Sequence, residues 1–142
     1  MNEKLLKNAD LAGVYHLPPL RRAAFEAAAQ KLHFPILTAD ISGHQKIEAT
    51  LRKIGSALHF PIWFGANFDA LFDCLVDPDW YPAKGHVVIF KGIDSLRSAD
   101  PEDFTTLIEV IQAAAESRCA AGTPLWILLD TPARGIAPLP EA

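Results

Sequence analysis

Two short runs of apolar residues constrain the fold of this chain more than any other feature of its sequence. The run HVVIFK, over residues 86–91, is rich in β-branched residues, and the run PLWILL, over residues 124–129, is almost wholly apolar. Strands that are apolar on both faces are typical of parallel sheets that helices cover on each side. The sequence therefore predicts an α/β fold with a small, mainly parallel sheet packed by helices.

The remaining elements follow from the spacing of apolar residues and from the prolines that separate the segments. Two further short strands are predicted over residues 13–17 and 34–41. The last twelve residues, TPARGIAPLPEA, contain three prolines and little that could be buried, so a loose tail is expected. Helices are predicted where apolar residues recur at three- and four-residue steps, over residues 19–32, 44–58, 68–76 and 101–121.

Composition and charge limit the class of protein. The chain has 142 residues, of which 50% are hydrophobic, and this suits one compact domain. No apolar stretch approaches the roughly 20 residues that span a bilayer, and the first residues do not resemble a secretory signal. A net charge of −4 argues against binding to nucleic acid or to anionic membranes and allows a basic partner. Because Cys74 and Cys119 are isolated, two free thiols and a cytoplasmic location are expected.

The segment from residue 60 to 80 contains the candidate binding residues. Asp69 and Asp73 are four residues apart and share one face of a predicted helix, although like charges at that spacing destabilise an isolated helix by roughly 0.2–0.5 kcal/mol. Trp63 and Trp80 stand in the loops on either side of that helix. An acidic face bordered by aromatic residues suits a cationic or phosphate-binding partner. A solvated helix face beside an aromatic core would give the same pattern.

Catalytic chemistry has little support in the sequence. Asp69, Asp73 and Asp77 could bind a hard cation in a metal enzyme, but no Glu or His stands at matching helical steps and no EF-hand loop is present. No nucleophile motif or P-loop occurs. Gly65 is a single glycine, and a positive backbone φ angle in the loop explains it better than a phosphate-binding role. We therefore expect a protein that is not an enzyme, with no catalytic residue, metal site or cofactor.

The run FPIWFGANFDALFDCLVDPDWYP, over residues 60–82, resembles the signature of the barstar family, the intracellular protein inhibitors of barnase-type ribonucleases. The shared pattern is Pro, an aromatic pair, Gly, any residue, Asn, an apolar residue, and then Asp-Ala-Leu-aromatic-Asp-Cys-Leu. The resemblance implies a barstar-like domain over residues 34–130, with a three-stranded parallel sheet flanked by helices. Residues 1–33 would be an N-terminal extension that packs on this domain and adds a strand and a helix, and residues 131–142 a flexible Pro-rich tail.

The resemblance also implies a function and a binding site. In the family, an acidic helix and the loop before it block the active site of the nuclease, with carboxylates in place of RNA phosphates. Asp73 matches the principal carboxylate and Asp69 its neighbour one turn earlier. The implied partner is a basic, extracellular-type ribonuclease or an RNase toxin, for which the chain would be a cytoplasmic, monomeric immunity protein. The other implied contacts are Trp63, Gly65, Asn67, Phe72 and Trp80.

Some residues depart from the family pattern. Ala66 replaces an acidic residue of the loop, and Ser117, with Glu116 beside it, stands where the family has an acid on the last helix. Phe72 stands where the prototype has a larger aromatic residue. These differences concern the identity of the partner. An alternative hypothesis is therefore a protein-interaction module that keeps the barstar fold but binds a partner that is not a nuclease.

Overall fold

The computed structural model describes residues 2–43 and 46–141, in which four parallel strands form a single sheet. Their order across the sheet is β1-β4-β3-β2. The predicted α/β fold with a parallel sheet is thus confirmed, with four strands rather than three. The additional strand is β1, which comes from the N-terminal segment and pairs with β4. The strands are β1 (Val14–His16), β2 (Ile36–Asp40), β3 (His86–Lys91) and β4 (Leu125–Leu129).

The helices connect and cover the strands. The segment predicted as one helix over residues 19–32 begins with a 3-10 turn at Pro19–Arg21 and continues as a regular helix. The predicted start of the next helix, at residues 44 and 45, lies outside the described residues. Two helices of six and seven residues were not predicted, because they are too short to show a periodic pattern. The helices are α1 (Asn2–Lys7), α2 (Arg22–Lys31), α3 (Ile47–Ala57), α4 (Phe68–Val76), α5 (Ile93–Ala99) and α6 (Pro101–Ala120).

The sheet separates two hydrophobic cores. Val88 and Phe90 of β3 face a core that includes side chains from α3, α4 and α6. Val87 and Ile89, which alternate with them, face a second core that includes side chains from α1 and α2. This two-sided burial explains why β3 and β4 lack the alternation of apolar and polar residues found in half-exposed strands.

The tail differs from the sequence prediction, because its last residues are docked onto the N-terminal segment. The backbone N–H of His16 donates to the carbonyl oxygen of Ala137 at 2.9 Å, and the N–H of Leu139 donates to the carbonyl of His16 at 2.8 Å. The Leu139 side chain is 3% exposed, and Arg21 donates to the carbonyl oxygens of Leu139 and Pro140 at 2.6 and 3.0 Å. The tail docks because β1 leaves a free edge whose backbone groups need partners, and tail composition does not reveal that edge.

Truncating the buried leucine of the tail should destabilise the protein. We expect Leu139→Ala to lower the free energy of unfolding by about 2 kcal/mol or more, because it removes buried apolar surface and leaves a cavity. Leu20→Ala, at a leucine whose side chain is fully exposed, should change it by less than about 0.5 kcal/mol. Urea denaturation of both variants measures the difference. Equal, small effects would show that the tail is loose in solution, as its composition suggests.

Candidate functional site

Helix α4 presents two aspartates to solvent. Its inner face is fixed by Leu71 and Leu75, which are completely buried in the core. This burial sets the rotation of the helix, so that Asp69 and Asp73 lie on the outer face, where both are exposed. Residues four apart on a helix have Cβ atoms about 5–6 Å apart. The two carboxylates therefore form an acidic face, defined by Asp69 and Asp73, on a helix whose rotation about its axis is fixed.

The loop before α4 holds the first turn of that helix in place. Asn67 has an extended backbone, and its Oδ1 accepts a hydrogen bond from the N–H of Ala70 at 2.8 Å, which caps the helix. The positive φ predicted for Gly65 occurs instead at its neighbour Ala66, where φ is 52° and the side chain is buried. A Cβ atom on Gly65 would lie 3.1 Å from Nδ2 of Asn67. Gly65 therefore leaves room for the capping side chain.

The aromatic residues of this region divide into exposed and supporting rings. Trp63 is 55% exposed, whereas Phe72 is half-buried and packs against the core beneath α4. Phe64 packs edge-on against Phe60, with ring centroids 5.1 Å apart. A Cβ atom on Gly55 of α3 would lie 2.6 Å from the Phe64 ring, so the loop rests directly on this glycine.

The structure does not place Trp80 on the exposed surface. Its side chain is 5% exposed, and its Nε1–H donates to the carbonyl oxygen of Leu58 at 2.7 Å. The ring stacks on His86, with centroids 4.7 Å apart. The exposed aromatic of this segment is the next residue, Tyr81, at 45%. Two adjacent aromatic residues in an irregular loop give no periodic signal that would show which one is buried.

A buried arginine connects the end of α4 to the rest of the domain. Arg118 of α6 is 5% exposed, and its Nη1 donates to the carbonyl oxygen of Leu75, in the last turn of α4, at 3.0 Å. Its Nε donates to the carbonyl oxygen of Thr123 at 2.8 Å, and its Nη2 contacts Nδ1 of His86 at 2.7 Å. Burial lowers the pKa of Arg118 to about 10. A cation placed at a helix C-terminus also interacts favourably with the helix dipole.

His86 links this arginine to the loop that contains Tyr81. Its Nε2 lies 2.6 Å from the carbonyl oxygen of Tyr81. A carbonyl can only accept, so we assign the proton of the neutral ring to Nε2, which leaves Nδ1 to accept from Arg118. Burial, together with the charge of Arg118, lowers the pKa of His86 to about 4, although the Tyr81 carbonyl favours the protonated form. The neutral ring therefore joins α6 to this loop.

Protonation of His86 should destabilise the fold at acid pH. A folded-state pKa of about 4, below the ordinary value of 6.5, means that the unfolded chain binds more protons between these values. The stabilisation from the neutral ring is complete above pH 6.5 and is lost as pH falls towards 4, by roughly 3 kcal/mol in total. Urea denaturation between pH 7 and 4 should show a shallower decline for His86→Gln than for the parent. Equal slopes for the parent and His86→Gln would contradict the assignment.

A membrane-spanning helix and a group of three metal-ligating residues are both absent from the described part of the chain. No helix there is long and apolar enough to cross a membrane. Residues 2–43 and 46–141 contain no group of three His, Cys, Asp or Glu residues that could hold a metal ion, so Asp69, Asp73 and Asp77 are not such a group. Both cysteines are free thiols, and burial, with Asp77 and Asp73 nearby, raises the pKa of Cys74 to about 11.

Comparison with known proteins identifies the family of this domain. No curated protein matches the chain. The family model described as Barstar (barnase inhibitor) matches residues 34–130, well over half of the chain, and this match includes β2 to β4, the loop before α4 and the acidic face. The chain therefore belongs to the barstar family.

Proposed function

We propose that this protein inhibits a barnase-type ribonuclease by placing the acidic face of α4 and the loop before it in the active site of the enzyme. The observation that carries the proposal is the exposure of Asp69 and Asp73 on a helix whose rotation is fixed by its buried face. Membership of a family described as barnase inhibitors supports the same role.

Electrostatics favour this kind of complex. A ribonuclease that binds the phosphates of RNA exposes cationic side chains in its active site, and two adjacent carboxylates can occupy the same positions. Charge-assisted hydrogen bonds between arginine and carboxylate are short and roughly twice as strong as neutral ones. Complementary charge also speeds the encounter of the two proteins. The net charge of −4 agrees in sign with a basic partner.

The binding residues are also held in place before any partner arrives. Asn67 caps α4 at one end, and Arg118 binds a carbonyl oxygen at the other. A rigid surface loses less conformational entropy on binding than a mobile one. In this arrangement Trp63 contacts the mouth of the active site, whereas Phe72 and Trp80 support the surface from behind.

A cellular role follows from this activity. We propose that the protein is a cytoplasmic, monomeric immunity protein that neutralises a ribonuclease which the cell secretes, or an RNase toxin that enters from outside. It acts by binding the enzyme, without catalysis, a cofactor, nucleic acid or a membrane.

Truncation of Asp73 tests the proposed function. In a fluorogenic RNA cleavage assay with barnase, the parent should inhibit stoichiometrically, because its carboxylates meet the cations of the active site. Asp73→Ala should weaken inhibition by roughly 30-fold or more, equivalent to about 2 kcal/mol. This is the general size of the effect at a hot-spot residue, and the barnase–barstar complex is itself one of the examples from which that size is known. Asp69→Glu, which keeps the charge, should have an effect several times smaller.

Glu109→Ala is the matched control, since it also removes an exposed acid from a helix but lies on α6. It should inhibit as well as the parent. Equal inhibition by the parent and Asp73→Ala would exclude α4 as the blocking element. A folded parent that fails to inhibit barnase would contradict a barnase-type target and favour the alternative of an interaction module with another partner.

A further inference from the structure

A cleft lies between the loop before α4 and the segment that follows α4. Its volume is about 270 Å³. It is distinct from the acidic face because neither Asp69 nor Asp73 lines it. Its lining includes His59, Trp63, Asp77, Asp79 and Tyr81.

The charged side chains of this cleft give it a negative character. Asp77 and Asp79 both line it, and no lysine or arginine of the described residues does. The Oδ1 atom of Asp77 accepts a hydrogen bond from the N–H of Asp79 at 2.8 Å, which fixes the two residues relative to each other. The side chain of Asp79 is exposed, and its carboxylate makes no ion pair within the described residues.

Two exposed aromatic rings line the same cleft. Trp63 is 55% and Tyr81 45% exposed, which makes them the most exposed aromatic side chains of the described chain. Tyr81 is held in a left-handed conformation, with φ of 39°, and its carbonyl oxygen contacts His86. Its ring stacks on His59 with centroids 6.0 Å apart. Tyr81 is therefore held in place before any ligand binds, which lowers the conformational entropy lost on binding there.

We propose that this cleft binds the guanidinium group of an arginine side chain from the partner protein. A guanidinium is planar and always charged, so it can lie against an aromatic ring and at the same time donate hydrogen bonds to a carboxylate. The combination of Asp77 and Asp79 with the rings of Trp63 and Tyr81 provides both interactions. That the arginine belongs to a basic ribonuclease rests on the proposed function. The cleft adds a second anchor to the acidic face and selects partners that present an arginine there.

Titration with a blocked arginine derivative tests whether the cleft binds a guanidinium group, without any nuclease present. The full chain, labelled with ¹⁵N, is titrated with N-acetyl-arginine methylamide while the indole N–H of Trp63 and the backbone N–H of Asp79 are followed by NMR. We expect saturable shifts at both groups, and none with the uncharged analogue N-acetyl-citrulline methylamide. Asp79→Asn should weaken binding about fivefold, in keeping with an exposed ion pair, and Asp77→Asn, which keeps the acceptor for the Asp79 N–H, should also weaken it. Glu109→Gln, which makes the same change in net charge elsewhere, should bind like the parent.

Three results would overturn the proposal: no saturable shift at Trp63 and Asp79, equal shifts with the citrulline analogue, or undiminished binding by Asp79→Asn. The assay is independent of nuclease inhibition. If the protein binds the arginine derivative but leaves barnase active, the proposed function is wrong and the arginine site stands. If the protein inhibits barnase but does not bind the arginine derivative, the proposed function stands and the arginine site is wrong.

Discussion

Burial of the two central strands on both faces is the constraint on which the rest of the structure depends. Val88 and Phe90 need cover on one side of the sheet, and Val87 and Ile89 need it on the other. Leaving a large apolar side chain exposed costs about 1.5–3 kcal/mol relative to burying it. Helices α3, α4 and α6 cover one face, and α1 and α2, from the N-terminal segment outside the family match, cover the other. That segment is therefore part of the folded unit, and the tail completes it by pairing with β1.

The acidic face is a product of the same constraint. Because Leu71 and Leu75 must be buried, Asp69 and Asp73 must point outward on adjacent turns, where their mutual repulsion weakens the helix slightly. Asn67 and Arg118 offset that cost by binding free backbone groups at the two ends of the helix. The acidic face is thus held in place by a helix cap at one end and a buried hydrogen bond at the other, so it can contact a partner with little rearrangement.

The connection through Arg118 and His86 shows how packing between distant segments supports the site. The arginine lies on α6, the histidine on β3, and the carbonyl oxygens that they contact lie in the last turn of α4 and in the loop at Tyr81. Burying a charged guanidinium requires hydrogen bonds to satisfy its donors, and two carbonyl oxygens, the Thr123 hydroxyl and the neutral imidazole accept them. Nothing in the local sequence around residue 86 or 118 indicates this pairing, since the two residues are 32 positions apart.

Local patterns of the sequence determined the α/β class, the parallel sheet and the shared face of Asp69 and Asp73, because each depends on the spacing of residues within one segment. Tertiary structure decided which residue took the positive φ beside Gly65, that Trp80 is buried while Tyr81 is exposed, and that Leu139 holds the tail. It also placed Asp77 and Asp79 in one cleft with Trp63. Each of these depends on which surfaces meet once the sheet and helices have packed, and spacing along the chain carries no record of such contacts.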